Sequence, residues 1–94
     1  MKKIEIIANL SVEEDIMNML EEAGVKGFTK IPVVHGTGRT NPKMGDSVWP
    51  EENFMLIIYT DEYMVPTIKS RVKELKEKFH NEGIKYYAVE VEHL

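Results

Sequence analysis

The chain has no cysteine, a single tryptophan and no long apolar run. Without cysteine it has no disulfide, no thiolate nucleophile and no Cys-based zinc or iron–sulfur site, so any metal would need histidine and carboxylate ligands. No stretch approaches the roughly 20 apolar residues of a membrane span, and no uninterrupted apolar segment of the secretory type follows the N-terminal Met-Lys-Lys. We therefore expect a soluble cytoplasmic protein that does not insert into a membrane.

Positively charged residues are also outnumbered. The chain has 12 Lys and Arg and 16 Asp and Glu, so its net charge is −4. Such a chain has no global positive field to attract phosphate backbones, and Glu74 and Glu77 interrupt its one lysine-rich stretch. The sequence also lacks a Ser-His-Asp pattern and a nucleophile elbow. We therefore expect neither nucleic-acid binding nor enzymatic activity.

The length of 94 residues corresponds to one domain, spanning 1–94. A domain this small buries only a modest share of its apolar surface, so stability is marginal unless subunits share a core. Self-assembly is therefore expected before any motif is considered.

The first half of the chain begins with a strand and a helix. Alternation of apolar and polar residues predicts a strand over 2–9. Ser11 and Glu14 have the spacing of a capping box, which predicts that a helix begins there. That helix should end near Ala23, because Gly24 can take the left-handed cap conformation.

A second strand is predicted over 27–35, where Pro32 indicates an edge position or a bulge because it cannot donate to a ladder. From 36 to 53 the sequence is rich in turn-forming residues. A connection of this length is above the usual range, which predicts a functional loop.

The second half repeats the pattern. The continuous apolar run 54–59 predicts a strand at the centre of the sheet, buried on both faces. Thr60 or Asp61 can cap a second amphipathic helix, Gly83 ends it, and 84–91 forms the last strand.

The order βαββαβ predicts an α+β fold: a ferredoxin-like sandwich with a four-stranded antiparallel sheet and two helices on one face. The other face is then left bare, although Ile7, Tyr87 and Val89 and the third strand would place apolar side chains on it. Sheets of neighbouring subunits are the simplest cover.

Three segments carry a family resemblance: Met-Lys-Lys-Ile-Glu-Ile-Ile at the start, Gly-Val-Lys-Gly-Phe-Thr at 24–29, and Val-Val-His-Gly-Thr-Gly-Arg at 33–39. Together they resemble the PII signal-transduction family. The resemblance implies a trimeric PII-like assembly with nucleotide in the clefts between subunits. It also implies that a long loop after the second strand contacts a transporter or an enzyme, and 36–53 occupies that loop's position.

Five positions match parts of the family's nucleotide cleft: Thr29, Gly36, Gly38, Arg39 and Lys85. Glycines let backbone amides approach a phosphate, and an arginine supplies a forked donor. The family's second glycine-rich element is not reproduced at 79–85, where only the lysine is in register. These departures imply a divergent, PII-like member of the family.

The leading hypothesis is a homotrimeric regulator that needs no cofactor and binds a small anionic ligand, an adenine nucleotide being one candidate. It would regulate a transporter or a metabolic enzyme through the loop 36–53, with Lys43, Met44 and Trp49 as partner contacts. Two other interpretations stay open. One is that Trp49 packs onto a neighbouring subunit, and the other is that Arg39 is a solvated residue where the chain leaves the strand.

Two alternatives from other classes also remain open. One is a CutA-like protein that binds a divalent metal through His35 with Asp46 and either Glu51 or Glu52, although this spacing is not specific. The other is a ligand-free structural adaptor that docks onto a partner through Trp49.

Overall fold

A computed structural model describes residues 1–36 and 51–94 of the chain. Its strands and helices are β1 (Lys2–Asn9), α1 (Glu13–Glu22), β2 (Thr29–Gly36), β3 (Glu51–Thr60), α2 (Val65–Lys78) and β4 (Ile84–Glu90). A short 3₁₀ turn precedes each helix, at Leu10–Val12 and Glu62–Met64. The predicted order βαββαβ is confirmed.

The four strands form one antiparallel sheet in the order β2-β3-β1-β4. β3 and β1 are the inner strands, so the prediction that the third strand lies at the centre is confirmed. Alternate residues of these strands face the helices because side chains of a strand point to opposite faces in turn. The architecture is the predicted ferredoxin-like sandwich.

The core lies between the sheet and the two helices. Its buried residues from the strands are Ile4, Ile6, Ala8, Phe54, Leu56, Ile58 and Ile84, and those from the helical segments are Val12, Ile16, Met19, Leu20, Ile68 and Val72. Burying one large apolar side chain contributes roughly 1.5–3 kcal/mol, so this cluster is the main source of stability within one subunit. The amphipathic pattern of the second helix predicted its part of this packing.

The bounds of β2 and β3 differ from the sequence prediction. β3 begins at Glu51, so positions 51–53 of the predicted loop belong to a strand. Three ladder pairs account for this: Val34 with Asn53, His35 with Glu52 and Gly36 with Glu51. Cross-strand pairing outweighs the local turn preference of these polar residues.

Pro32 lies at the position that its chemistry predicts. β2 is an outer strand, and its register against β3 shifts between Ile31 and Val34. A residue without an N–H group is tolerated at such an irregularity because it breaks no regular ladder bond. Both the edge position and the bulge are confirmed.

The predicted capping box at the start of α1 is wrong. Ser11 lies within the 3₁₀ turn, and its backbone N–H donates to Asn9 Oδ1 at 2.9 Å. The α-helix then begins at Glu13, after Val12. The capping side chain is Asn9, because the chain leaves β1 directly into the turn and the short amide reaches the amide two residues on.

Of the other three helix ends, only the end of α1 was predicted correctly. α2 ends at Lys78, because Phe79 already leaves the helical conformation, so the prediction that Gly83 ends it is wrong. Gly24 follows α1 with a φ of 85°, the left-handed conformation expected of a C-terminal glycine. The predicted cap of α2 is wrong, because Thr60 belongs to β3 and Asp61 precedes the 3₁₀ turn rather than α2.

Over 1–36 and 51–94, no helix is long and apolar enough to cross a bilayer.

Candidate functional site

The sheet face opposite the helices is covered by neither helix, and we call it the open face. Its apolar residues are Ile7, Ile31, Met55, Ile57, Tyr59, Tyr87 and Val89. Tyr59, Tyr87 and Val89 are each more than half exposed, at 55%, 52% and 53%. Apolar side chains from all four strands thus form one continuous surface, as is typical of an interaction site.

Two charged residues interrupt the open face at its centre. Lys3 Nζ and Glu5 Oε2 of β1 lie 3.0 Å apart, with side chains 27% and 31% exposed. The hydrogen bond and the attraction of Glu5 raise the pKa of Lys3 above its ordinary value, because both favour the charged ammonium. An ion pair therefore lies at the centre of a mainly apolar face.

Thr29 and Gly36 mark the two ends of β2. Thr29 pairs with Ile57 and Gly36 pairs with Glu51, and both are exposed. A Cβ atom added to Gly36 would meet nothing within 4 Å among the described residues. The residues that the structure describes therefore give no steric reason for glycine at this position.

Lys85 lies on β4, next to Ile7, and its side chain is exposed on the open face. β4 and β2 are the two outer strands of the sheet. Three strand spacings separate them, about 14 Å. One subunit therefore does not bring Lys85 together with Thr29 or Gly36.

The remaining predicted site residues, Gly38, Arg39, Lys43, Met44 and Trp49, lie outside the described residues. Their roles stay predictions. The segment that contains them leaves the sheet at Gly36 and returns at Glu51, which are ladder partners. The two ends of this segment therefore lie side by side at the same end of the β2–β3 pair.

His35 and Glu52 lie near the same end of the pair. His35 Nε2 is 3.8 Å from Glu52 Oε2, and both side chains are more than half exposed, at 55% and 65%. Asp46 and the Glu51 side chain are outside the part of the chain that the structure describes. Within that part, no group of three His, Asp or Glu side chains is arranged to hold a metal ion. Two residues named in the metal-binding alternative thus lie close together, and that alternative stays a prediction.

A comparison with protein-family models decides the family. The model described as nitrogen regulatory protein P-II matches residues 1–94. The chain belongs to the P-II family. P-II proteins are regulatory by description, and this chain shares that class. A comparison with curated protein sequences found no significant match.

Solved structures agree with the P-II assignment at the level of fold. CPII of Thiomonas intermedia K12, a nitrogen regulatory PII-like protein bound to ADP, AMP and bicarbonate, superimposes with a TM-score of 0.70 at 22% identity, covering 99% of this chain and 93% of that chain. A PII-like signalling protein of Thermus thermophilus superimposes with a TM-score of 0.67 at 24% identity, covering 94% of this chain and 83% of that chain. At these identities the similarity shows a shared fold.

Some surface features of this P-II protein differ from the sequence prediction. The run 54–59 was predicted to be buried on both faces, whereas within one subunit Tyr59 is exposed and Met55 and Ile57 are partly exposed. These three side chains lie on the face that neither helix covers, and the sequence predicted apolar residues of the third strand there. No motif predicted a groove of about 430 Å³ between the end of α1 and the segment before β2, lined in part by Met17, Val25 and Phe28.

Proposed function

We propose that this protein is a P-II-like signalling protein that binds a small anionic ligand in clefts between the subunits of a homotrimer. An adenine nucleotide is the first ligand to test. Binding would change the state of the segment 36–53, which would in turn regulate a partner such as a transporter or a metabolic enzyme. The observation that carries this proposal is the family match over residues 1–94, joined to an open sheet face.

The ligand class is supported by structures with the same fold. CPII of Thiomonas intermedia K12 is described as bound to ADP, AMP and bicarbonate, and in another structure as bound to ADP and bicarbonate. All three ligands are anions. Lys85 supplies a cationic group on the open face of this chain, and Arg39 adds a second in the predicted loop.

Assembly is supported by the open face. Its residues include Tyr59, Tyr87 and Val89, all more than half exposed in the single subunit. Monomeric proteins rarely leave a contiguous apolar surface of this kind in water. A small domain also gains much of its stability from a shared core, so packing of open faces against one another supplies a physical reason for the trimer.

The positions of the predicted ligand residues favour a cleft between subunits. Thr29 and Lys85 lie on opposite edges of one sheet, about 14 Å apart by strand spacing. A single phosphate group is far too small to contact both in the same chain. A neighbouring copy that brings its own β4 near the β2 edge would place the two residues around one ligand.

Calorimetry tests ligand binding directly. We expect the intact protein to bind at least one of ATP, ADP, AMP and cyclic AMP, with bicarbonate tested alone and alongside nucleotide. Lys85→Ala and Arg39→Ala should each lower the affinity about tenfold or more, since a charged hydrogen bond to phosphate contributes roughly 1.5–3 kcal/mol. Lys76→Ala, at an exposed position of α2, is the matched control and should bind as the wild type does.

Absence of binding to all of these ligands at millimolar concentration would reject the proposal. So would full affinity in both Lys85→Ala and Arg39→Ala. The partner role is tested separately by copurification of the intact chain and of Trp49→Ala, with and without nucleotide. Regulation through 36–53 predicts a partner whose retention depends on nucleotide and is weakened by the substitution.

A further inference from the structure

The ion pair of Lys3 and Glu5 occupies an unusual place for charge. β1 is an inner strand, and positions 3 and 5 point to the open face rather than to the helices. The cross-strand neighbours of the pair are mostly apolar or aromatic: Tyr59 and Val89 beside Lys3, Ile57 and Tyr87 beside Glu5. An ion pair therefore lies in the middle of the surface on which subunits are proposed to pack.

Covering this surface would remove water from both charges. The ammonium of Lys3 has three donors and the carboxylate of Glu5 has about four acceptor positions. Among the described residues, the single 3.0 Å contact leaves most of them unpaired. Desolvation of an ion pair can exceed its own attraction unless the remaining groups also find partners. The partner surface must therefore supply complementary charge at the same place.

A second copy of this chain meets that requirement. Positive and negative charge follow each other along β1 at positions 3 and 5, so a copy placed against the same face presents both signs. An apolar partner protein would leave the pair without further hydrogen bonds, and a uniformly acidic or basic partner would repel one of its two members. The charge pattern of one open face is thus complementary to that of the same face on a second copy.

We propose that, in the assembled protein, Lys3 of each subunit pairs with Glu5 of a neighbouring subunit, and that this alternating set of charges fixes the register in which the open faces meet. The inference rests on the assembly in the proposed function but not on its ligand. The pair seen within one subunit is then the form that the two side chains take before assembly. Polar groups within an otherwise apolar interface commonly specify register and partner in this way.

Mixing two charge versions of the chain tests the exchange of partners. In Lys3→Glu/Glu5→Lys, the attraction between neighbouring copies is preserved, so this variant should assemble with itself. Against the wild type, Lys3 would meet a lysine at position 5, and Glu5 a glutamate at position 3. Native mass spectrometry of co-refolded, differently tagged chains should show mixed assemblies depleted at least about tenfold below the binomial expectation, because like charges brought together suppress the wrong partner.

The control is the double variant Glu22→Arg/Arg71→Glu. In the wild type, Glu22 of α1 and Arg71 of α2 form an ion pair of 3.6 Å on the helical side of the molecule. This variant should mix with the wild type freely. Free mixing of the Lys3/Glu5 swap with the wild type would overturn the proposal, as would failure of a folded swap to self-assemble or a monomeric wild type. If mixing is free while the assembly still binds nucleotide, this inference fails and the proposed function stands.

A second measurement covers the case in which the swapped chain does not fold. Lys3→Met and Glu5→Gln each leave one unpaired charge, so each alone should assemble about tenfold more weakly than the wild type. Mixed together, they restore a Lys3–Glu5 contact between copies and should assemble more tightly than either variant by itself. Pairing confined to one subunit predicts no gain on mixing, and that result would also reject the inference. Sedimentation velocity over a dilution series separates the two outcomes.

Discussion

Lys30 Nζ of β2 lies 2.5 Å from Glu13 Oε2 in the first turn of α1, and the two side chains are 34% and 31% exposed. This contact joins the edge strand to the helical layer. No residue of Thr29–Gly36 is buried, and the ladder of β2 with β3 is irregular beyond Ile31. The strand that leads into the predicted functional segment is therefore held mainly by its ladder and by this ion pair.

Lys30→Met should destabilise the protein by about 0.5–1 kcal/mol, because a partly exposed ion pair contributes little in water. Urea unfolding at one fixed protein concentration measures the difference. Lys26→Met is the control, since Lys26 is exposed just before β2 and the described residues provide it with no ion pair. An equal loss in the free energy of unfolding in both variants would show that Lys30 acts through the net charge of the protein rather than through its contact with Glu13.

Gly24→Ala should destabilise the subunit by about 1–2 kcal/mol. Gly24 has a φ of 85°, and a side chain in the left-handed region crowds its own carbonyl. Gly27→Ala is a matched control three residues later, where φ lies outside that region and an added Cβ meets nothing within 4 Å. The control should be neutral or slightly stabilising, since alanine lowers the entropy of the unfolded chain. Comparable losses in both variants would contradict the conformational explanation.

The order of elements was predictable because each element carries its own periodic signal. β1 places a buried apolar residue at every second position from Ile4 to Ala8, and the stripe that includes Ile68 and Val72 repeats at helical spacing. These parts of the core therefore follow from local pattern. The pairing of His35 with Glu52 was not predictable in this way. Both residues are polar and surrounded by turn-forming neighbours, and only the partner strand makes them part of a ladder.

The candidate site was predictable only as a set of separate positions. Thr29 and Lys85 were selected by resemblance, and the sheet then places them on opposite edges. A site formed by two copies leaves no contiguous pattern in one sequence. The apolar character of Tyr87 and Val89 could be read from β4, but the exposure of Tyr59 depends on which side the helices occupy.

Tyr86→Phe should stabilise the protein, by about 1 kcal/mol. The Tyr86 hydroxyl is buried beneath the helices and has no hydrogen-bond partner among the described residues. A buried polar group without a partner has lost its bonds to water, so removing it recovers that penalty. Tyr63→Phe is the control, since Tyr63 is 76% exposed, and it should change the free energy of unfolding very little. A destabilised Tyr86→Phe would mean that the hydroxyl has a bound partner.

The same tyrosine predicts a difference at alkaline pH. Burial raises the pKa of Tyr86 above its ordinary value of 10.0, with a smaller opposing effect of Lys2. A raised pKa means that the neutral form is favoured in the folded state. Below pH 10.0 the hydroxyl is neutral in both the folded and the unfolded chain, so it gives no pH dependence there. As the pH rises from 10.0 through the folded pKa, the unfolded chain ionises first and the free energy of unfolding falls. The wild type should therefore lose more stability in this range than Tyr86→Phe does, as measured by thermal unfolding across an alkaline pH series.

Neighbouring residues of β3 should separate folding from assembly. Ile58 is 1% exposed in the core, and Ile58→Ala should destabilise the fold by roughly 2–5 kcal/mol. Tyr59 points to the open face, so Tyr59→Ser should weaken association and leave the unfolding of the dissociated subunit nearly unchanged. Sedimentation over a dilution series measures the first effect, and urea unfolding measures the second. Normal association of Tyr59→Ser would argue against the open face as the subunit interface.

Glu90 should make stability depend on acid pH. Its carboxylate lies 3.1 Å from Lys2 Nζ and 3.1 Å from the N-terminal ammonium. Hydrogen bonds, first from Lys2 and then from the N-terminus, hold the pKa of Glu90 below its ordinary value of 4.5. A depressed pKa means that this contribution is present above 4.5 and is lost as pH falls through the lower, folded value.

Glu90→Gln should therefore have a lower Tm than the wild type at pH 7, and the two melting curves should converge as the pH falls below 4.5. The effect at pH 7 should be small, because the Glu90 side chain is 58% exposed and water screens its charge. Glu92→Gln, at an exposed position just beyond β4, is the control and should follow the wild type at every pH. A constant difference in Tm between Glu90→Gln and the wild type down to strongly acid pH would show that Glu90 contributes through packing. A charge contribution must vanish once the carboxylate is protonated in both the folded and the unfolded state.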